Sequence, residues 1–528
     1  MLKVCILAAG VGKRNSYSTD SHKSLLTIHN RAIISIIMDS FPRKTDFIVA
    51  VGHNKELIKD YLSIAESQRN YKICEVKNYS KKFSGPATSL LSCKKYLNQP
   101  FIFISCDTII KKLDRYDFKY NWVGISEVEK SNDYLIFERN MDKVINFFDK
   151  KDIKDLPDSI KKPYDAFIGL AGIYDYKLFW KSLETNKLLV NNELQVSNGF
   201  NVLIKKGLKA KKIDWKDVGS DDSYKNVLNL YSIQHLPKKS ETLFIEKNRV
   251  IKFFKEKNKA LKRFNRSKFI FRNMPKDISL KNNFLSYRYM KGNMLSEEKN
   301  KRVFLKFLEK SFQSIWKPIN LEKKNDKIFR NECDFFYRIK TFERVNFFLS
   351  KKGIEDRRVK INNLEVPKVK EALKALNWTS FNKQAIPVKF HGDPQPENII
   401  HNNDKFFFID WRECFGKNLL YGDIYYDFAK IHHALIVSGK IIRSNNYHVD
   451  IKKDEISLNI KTRKNLINFL LIFEKFLINK KYNLNNVRLM SIIIYLNIAA
   501  LHDNPYDEFL FFFGRYLLQL FIENKWPY

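Results

Sequence analysis

The chain has 528 residues, with 95 Lys and Arg against 58 Asp and Glu, a net charge of +37 and a hydrophobic fraction of 44%. That length exceeds one ordinary core and points to about two to four domains of a globular protein. The charge does not mark a nucleic-acid reader, in which basic residues cluster with aromatics on one element. Here lysine runs through both halves among abundant Asn, Ile and Phe, so no nucleic-acid partner is expected. Anionic small molecules such as nucleotides would still gain from the positive field. The opening MLKVCILAAG is too short an apolar run, and too soon closed by glycine, for a secretory leader. The apolar stretches 468–478 and 490–501 are too short or too interrupted to enter a bilayer. Six cysteines at 5, 74, 93, 106, 333 and 414 show no C-x-x-C spacing. No zinc site or disulfide framework is expected, and a reducing cytoplasm is.

In chain order, 3–8 reads as a buried strand that opens directly into Ala9-Gly10-Val11-Gly12-Lys13-Arg14. A glycine turn after a strand lets backbone N–H groups approach phosphate oxygens, and Lys13 and Arg14 add charge. A helix at 33–38, a strand at 47–51 ending at Gly52, and a strand at 101–105 ending at Asp107 follow. This alternation predicts an α/β domain with a mostly parallel sheet. Ligands in such sheets sit beyond the carboxyl ends of the strands, where the glycine turn and Asp107 fall.

These segments resemble the nucleotidyltransferases that join a nucleoside triphosphate to a phosphorylated sugar or alcohol. The resemblance covers about residues 1–228 and rests on several motifs in order. L-A-A-G-V-G-K-R implies a nucleotide-binding loop of Leu7, Ala8, Ala9, Gly10, Gly12 and Lys13, with Arg14 and Lys23 as catalytic phosphate-holding cations. Gly85, Thr88 and Ser89 lie in the small-residue segment against which the base packs. Asp107, and Asp217 in W-K-D-V-G, are the implied Mg²⁺ ligands, and Glu193 is a candidate for contact with the acceptor. The implied fold is Rossmann-like. A substrate phosphate oxygen attacks the α-phosphorus and pyrophosphate leaves, so catalysis is mainly charge neutralisation and in-line positioning. The chain departs from the family pattern at 15–20, and at His22, where the family has proline.

Periodicity stops at 229–240, which reads as a linker containing Pro237. Residues 241–254 alternate as a hairpin turning at Lys247-Asn248, and 284–295 read as a strand with a bend at Gly292. Residues 297–385 and 428–528 carry helical spacing of Phe, Leu, Ile and Tyr. Between them, an apolar lead-in meets His391-Gly392-Asp393, Asn398 follows, and a strand at 406–409 ends at Asp410. Oxygen ligands at the ends of apolar runs suit a hard cation such as Mg²⁺, and phosphoryl transfer needs a further carboxylate to orient the attacking hydroxyl.

H-G-D-x-x-x-x-N followed by I-D-W resembles the aminoglycoside phosphotransferase and choline kinase family, relatives of the protein kinases. The resemblance implies a bilobal, kinase-like α+β domain with an N-lobe at 241–295 and a helical C-lobe at 296–528. It makes Asp393 the catalytic acid and Asn398 and Asp410 the metal ligands. It places Lys252 on the ATP phosphates and the backbone near Gly292 on adenine. Asp427, in the similar segment G-D-x-x-x-D-x-A, is implied to brace the catalytic loop. No helix glutamate is evident to pair with Lys252, because the stretch after Glu256 is basic.

The expectation is a bifunctional cytoplasmic enzyme. One half phosphorylates a small hydroxylated metabolite, an amino alcohol such as choline or ethanolamine or a sugar, with ATP. The other transfers a nucleotidyl group from CTP or UTP, with CTP favoured, giving an activated precursor for surface glycan or lipid. Mg²⁺ serves both sites, and partners are small molecules and nucleotides, with a homo-oligomer admitted. The alternative is an active nucleotidyltransferase carrying a non-catalytic kinase-like module.

Overall fold

The run KVCILA forms β1 (Lys3–Ala8), whose side chains alternate between two apolar layers. Val4, Ile6 and Ala8 enter one core with Ile33, Ile37 and Tyr61; Cys5 and Leu7 enter another with Leu90, Phe103 and Phe179. A strand covered on both faces needs the unbroken apolar run that the sequence shows. The computed structural model describes residues 1–12, 14–18, 21–113, 119–151, 156–157, 159–160, 162–231, 240–270 and 273–528. Lys13 and most of the expected linker, 232–239, lie outside these residues. By packing, the chain divides into two units, Met1–Lys257 with Lys281–Ser286 and Asn258–Leu280 with Tyr287–Tyr528.

The first unit is built on a nine-stranded sheet. With β2 (Asp46–Val51), β3 (Asn70–Glu75), β4 (Phe101–Ser105), β6 (Trp122–Val128), β7 (Leu135–Asn140), β8 (Lys143–Asp149), β9 (Tyr164–Ile173) and β10 (Lys209–Lys212), its order is β3-β2-β1-β4-β9-β6-β10-β8-β7. A short strand, β5 (Thr108–Ile110), pairs outside it with β11 (Trp215–Asp217). Helices α1 (Ile33–Asp39), α2 (Lys55–Ala65) and α3 (Pro86–Ser92) accompany the first four strands. Strands β3, β2, β1 and β4 are parallel, but β9 runs antiparallel to both β4 and β6. The sheet is therefore mixed rather than mostly parallel. Beyond β4 the chain reverses through tight turns, as at Met141 (φ 51°) between β7 and β8, where helical crossovers would have kept strands parallel. Strand order reverses between β1 and β4, so the loops after these two strands open at the switch point.

The hairpin expected at 241–254 is present as β12 (Glu241–Glu246) and β13 (Arg249–Phe254). Phe244, Ile251 and Phe253 join the first unit's core, with the Tyr61 ring 4.8 Å from that of Phe244. The Tyr61 hydroxyl donates to Glu246 at 2.9 Å.

The second unit is helix-rich. Leu484–Ala499 is apolar on nearly every side and lies deep in the core. Three helices matter for its site: α4 (Lys257–Ser267), α5 (Lys340–Lys352) and α6 (Ile424–Ile436). The hairpin of β14 (Ile399–Asn402) and β15 (Lys405–Phe408) carries the segment between Asn398 and Asp410. The stretches read as helical, 297–385 and 428–528, also contribute to a four-stranded sheet formed by Val359–Ile361, Leu364–Val366, Tyr447–Lys452 and Glu455–Ile460. Asn362 and Asn363, both at positive φ, make the turn of its first hairpin, a tight-turn signal in the sequence. Among the described residues no helix is long and apolar enough to cross a membrane.

Candidate active sites

In the first unit the glycine turn leaves β1 at the switch point. Leu7, Ala8 and Ala9 are buried, so only their backbone is available to a ligand. Gly12 has φ +72°, a conformation that favours glycine, and a Cβ on Gly10 would meet nothing within 4 Å. His22 fixes the turn from below. Its Nδ1 accepts from the Ser24 N–H at 3.1 Å, which leaves Nε2–H to donate to the Gly10 carbonyl at 3.1 Å. Burial, then the charge of Lys23, pulls the imidazole pKa down to about 3, so the ring is neutral. The start of the stretch that departs from the family pattern, Asn15 and Ser16, is tied down as well. The Asn15 side chain donates to the Val218 carbonyl at 3.4 Å, and the Ser16 N–H and hydroxyl each reach Asp221 at 2.7 Å.

Lys23 Nζ lies 2.6 Å from Asp107 Oδ2, and both side chains are largely buried. Burial opposes the charge on each, but their attraction outweighs it, raising the lysine pKa and lowering that of the acid. Asp217 ends β11, opposite Thr108 of β5. It accepts from the Gly219 N–H at 3.0 Å and from the Tyr134 hydroxyl at 3.3 Å. A Cβ on Gly219 would lie 3.0 Å from Asp107 Oδ2 and 3.1 Å from Asp217 Oδ1. The two acids, remote in sequence, therefore close on one glycine. Burial, then the nearby Asp107 charge, raises the Asp217 pKa. A pair of oxygen donors with this mutual repulsion fits Mg²⁺, which binds through one or two carboxylates and substrate phosphates. Among the described residues no group of three or more His, Cys, Asp and Glu gathers as a metal cage. Arg14 is exposed beside these groups and acts electrostatically on both acids.

Gly85 has a packing explanation. A Cβ there would come within 2.4 Å of the Leu194 carbonyl oxygen, because Glu193–Leu194 runs across it. This brings Glu193 beside the segment of Thr88, whose hydroxyl accepts from the Gly85 N–H, and of the buried Ser89. Lys252 lies on β13 between buried Ile251 and Phe253, and packing assigns it to the first unit.

In the second unit the backbone around Asp393 is held from beneath. The Asp427 carboxylate accepts from the N–H groups of His391 and Gly392, each at 2.7 Å, and from Trp316 Nε1 at 3.0 Å. Gly392 has φ +87°, and a Cβ there would lie 2.5 Å from the Cβ of Arg412. Asn398 Nδ2 donates to the Asp393 carbonyl at 2.9 Å and faces its carboxylate at 3.3 Å, and among the described residues its amide oxygen accepts no hydrogen bond. Asp410 follows the hairpin at φ 58°, and the Ile409 N–H donates to the Asn398 carbonyl at 2.9 Å. The backbone thus couples the two proposed metal-ligand positions. Gly292 sits where a Cβ would strike the His401 carbonyl, next to the pairing of Asn293 with His401.

The basic helix α4, which offers no glutamate, supplies residues that the sequence reading did not single out. Arg263 Nη1 lies 2.5 Å from Asp410 Oδ1, and its Nε lies 3.4 Å from Glu413. Arg266 is almost fully buried and donates to the carbonyls of Phe390, His391, Arg412 and Leu419. On α6, Lys430 Nζ lies 2.7 Å from Asp393 Oδ1. The basic composition of 257–268 hinted at Arg263 and Arg266, and nothing in the sequence singled out Lys430.

No protein-family model matches the sequence, and no curated protein is detectably similar to it. Among solved structures, a UDP-glucose pyrophosphorylase complexed with UDP-glucose is similar over 44% of this chain and 100% of its own, at 19% identity and a TM-score of 0.37. An inositol-1-phosphate CTP transferase of T. maritima is similar over 44% of this chain and 96% of its own, at 15% identity and a TM-score of 0.35. The stretch that resembles these sugar-phosphate and alcohol-phosphate nucleotidyltransferases is the N-terminal one.

Proposed function

We propose that the first unit is a nucleotidyltransferase acting on a small phosphomonoester. The observation that carries this reading is the convergence of Asp107, paired with Lys23, and Asp217 on Gly219, beyond the glycine turn at the switch point. The phosphate oxygen of the acceptor bonds to the α-phosphorus of the nucleoside triphosphate, the α–β bridging P–O bond breaks, and pyrophosphate leaves. Mg²⁺ bound by Asp107 and Asp217 would supply charge neutralisation on the phosphates. The glycine turn offers backbone N–H groups, and Arg14 and Lys23 hold phosphate oxygens in line. In this reading CTP is the favoured donor and UTP the alternative.

We further propose that the second unit is a small-molecule phosphotransferase with a kinase-like site. Support comes from Asp393, Asn398 and Asp410 held in one braced segment, an oxygen donor set suited to Mg²⁺. Asp393 orients the acceptor hydroxyl and takes its proton, and Asn398 and Asp410 would hold a metal that would neutralise charge on the ATP phosphates. The two reactions form a sequence, because the kinase product carries the phosphate that the transferase needs. The backbone at Gly292 is proposed as a contact to ATP within this reading.

One observation favours a second reading, in which the kinase-like half binds without catalysis. Arg263 already pairs with Asp410, and Lys430 with Asp393, so cations occupy both acids. An acceptor screen with ATP and each of CTP, UTP, GTP and dTTP, read by mass spectrometry, decides between the two. Appearance of both a phosphomonoester and its nucleotidyl derivative supports two active sites. Nucleotidyl transfer to supplied phosphomonoesters alone supports the binding module, and absence of both products rejects the function.

A further inference from the structure

The surroundings of Asp393 are more basic than their own acids balance. Helix α5 follows a π-helical turn, Phe335–Ile339, a local widening that often marks functional sites. The turn buries the Phe336 ring; Lys340 Nζ lies 3.9 Å from its centroid and the Arg412 guanidinium lies 5.0 Å from it. Arg412 also donates to the Tyr426 hydroxyl at 3.0 Å and to the Cys414 carbonyl at 3.1 Å. Arg344 lies one helical turn beyond Lys340. Burial, then the charges of Arg412, Arg344 and Lys430, lowers the Lys340 ammonium pKa to about 7.

The acids facing this group are few. Asp393 is taken by Lys430, and Asp410 and Glu413 by Arg263. Among the described residues, Lys340 and Arg344 have no carboxylate partner within ion-pair distance. Lys340 and Arg412 therefore flank one ring, and Arg344 adds to the positive field at Lys340; Arg412 draws compensation from Tyr426, Glu413 and Asp393, whereas Lys340 draws little. Such crowding is costly unless an anion completes it, and it repels a cationic acceptor such as choline.

We infer that the acceptor phosphorylated at Asp393 carries its own anionic group, a carboxylate or a phosphate, held by Lys340, Arg344 and Arg412. The inference rests on the phosphotransferase reading of this site and moves the acceptor away from the amino alcohol expected from the sequence. In the reaction, the acceptor hydroxyl oxygen bonds to the γ-phosphorus of ATP. The β–γ bridging P–O bond breaks with its electron pair on ADP, and the hydroxyl proton passes to Asp393.

The test uses the full chain with ATP, Mg²⁺ and matched acceptor sets: glycerate, glycerol and serinol; glucuronate, glucose and glucosamine; and choline. The anionic member is expected to lead its set by about tenfold or more in kcat/KM, the kind of discrimination that like-charge repulsion gives. Lys340→Met should raise the KM of that acceptor and leave the KM for ATP unchanged. Lys340→Glu, which keeps the helix and reverses the charge, should shift preference toward serinol or glucosamine. A neutral or cationic acceptor leading with the wild-type protein overturns the inference alone. So does Lys340→Met raising the KM for ATP instead, since the cations would then serve the triphosphate. Absence of phosphoryl transfer to every acceptor removes the phosphotransferase reading itself, and this inference with it.

Discussion

The two units gather their carboxylates in opposite ways. In the first, Asp107 and Asp217 come from distant parts of the chain and meet because β5 and β11 pair beside the switch point of the sheet. In the second, Asp393, Asn398 and Asp410 are close in sequence, and buried polar side chains from elsewhere, Asp427 and Arg266, hold them in shape. The first site is therefore as rigid as its strands. The second depends on a satisfied hydrogen-bond network, which fixes geometry well while complete and fails steeply when one member is lost.

Substitutions can break this contrast at several depths. The largest expected effect is from Asp393→Asn, which should slow ATP-dependent phosphorylation by about 10³-fold and leave nucleotidyl transfer to a supplied phosphomonoester intact. Steady-state kinetics of the two half-reactions checks both parts, and a variant with wild-type ATP consumption would sink the catalytic role. Asp107→Asn should do the converse, lowering nucleotidyl transfer by about 10²-fold to 10³-fold. It should also abolish any Mg²⁺-dependent rise in the melting temperature of the first unit.

Gly392→Ala tests the braced loop. The positive φ and the 2.5 Å approach to Arg412 should together destabilise the second unit by about 3 kcal/mol, read from denaturant unfolding. An unchanged midpoint would mean that the loop yields. The smallest effect concerns His22, whose buried imidazole is held neutral with a pKa of about 3. The unfolded chain takes the proton as pH falls below about 6.5, whereas the folded chain resists it. Stability should therefore fall between these values on acidification, by about 2 kcal/mol at pH 5 relative to pH 7. His22→Gln should remove that slope, which urea titrations across pH would reveal.

The glycine turn, the strand runs and the H-G-D-to-D-W segment were legible because each is local: apolar runs ending in glycine or an acid. Asp107 and Asp217 could be suspected from their positions, but the contacts of Tyr134 with Asp217, Asn15 with Val218 and Ser16 with Asp221 could not. Those contacts join segments that nothing in the sequence places side by side. Arg263, Arg266 and Lys430 were hidden differently. In a chain with 95 basic residues, three buried or paired cations look like all the others until their neighbours are known. The sheet containing Val359–Ile361 and Glu455–Ile460 escaped because its strands are short and flanked by long helical patterns, although Asn362-Asn363 marked its turn.

Arg266 has a consequence for how the second unit comes apart. Its guanidinium spans carbonyls on both sides of the loop that carries Asp393, from Phe390 to Leu419, and its planar face lies 3.8 Å from the Phe390 ring centroid. Helix α4 cannot fray at that end without stripping those oxygens of their donors and leaving a buried charge without its acceptors. Helix and loop should therefore open as one cooperative segment. In hydrogen exchange, the amides of His391 and Gly392 should share a single opening free energy with those of the last turn of α4, and Arg266→Met should release the two to exchange independently.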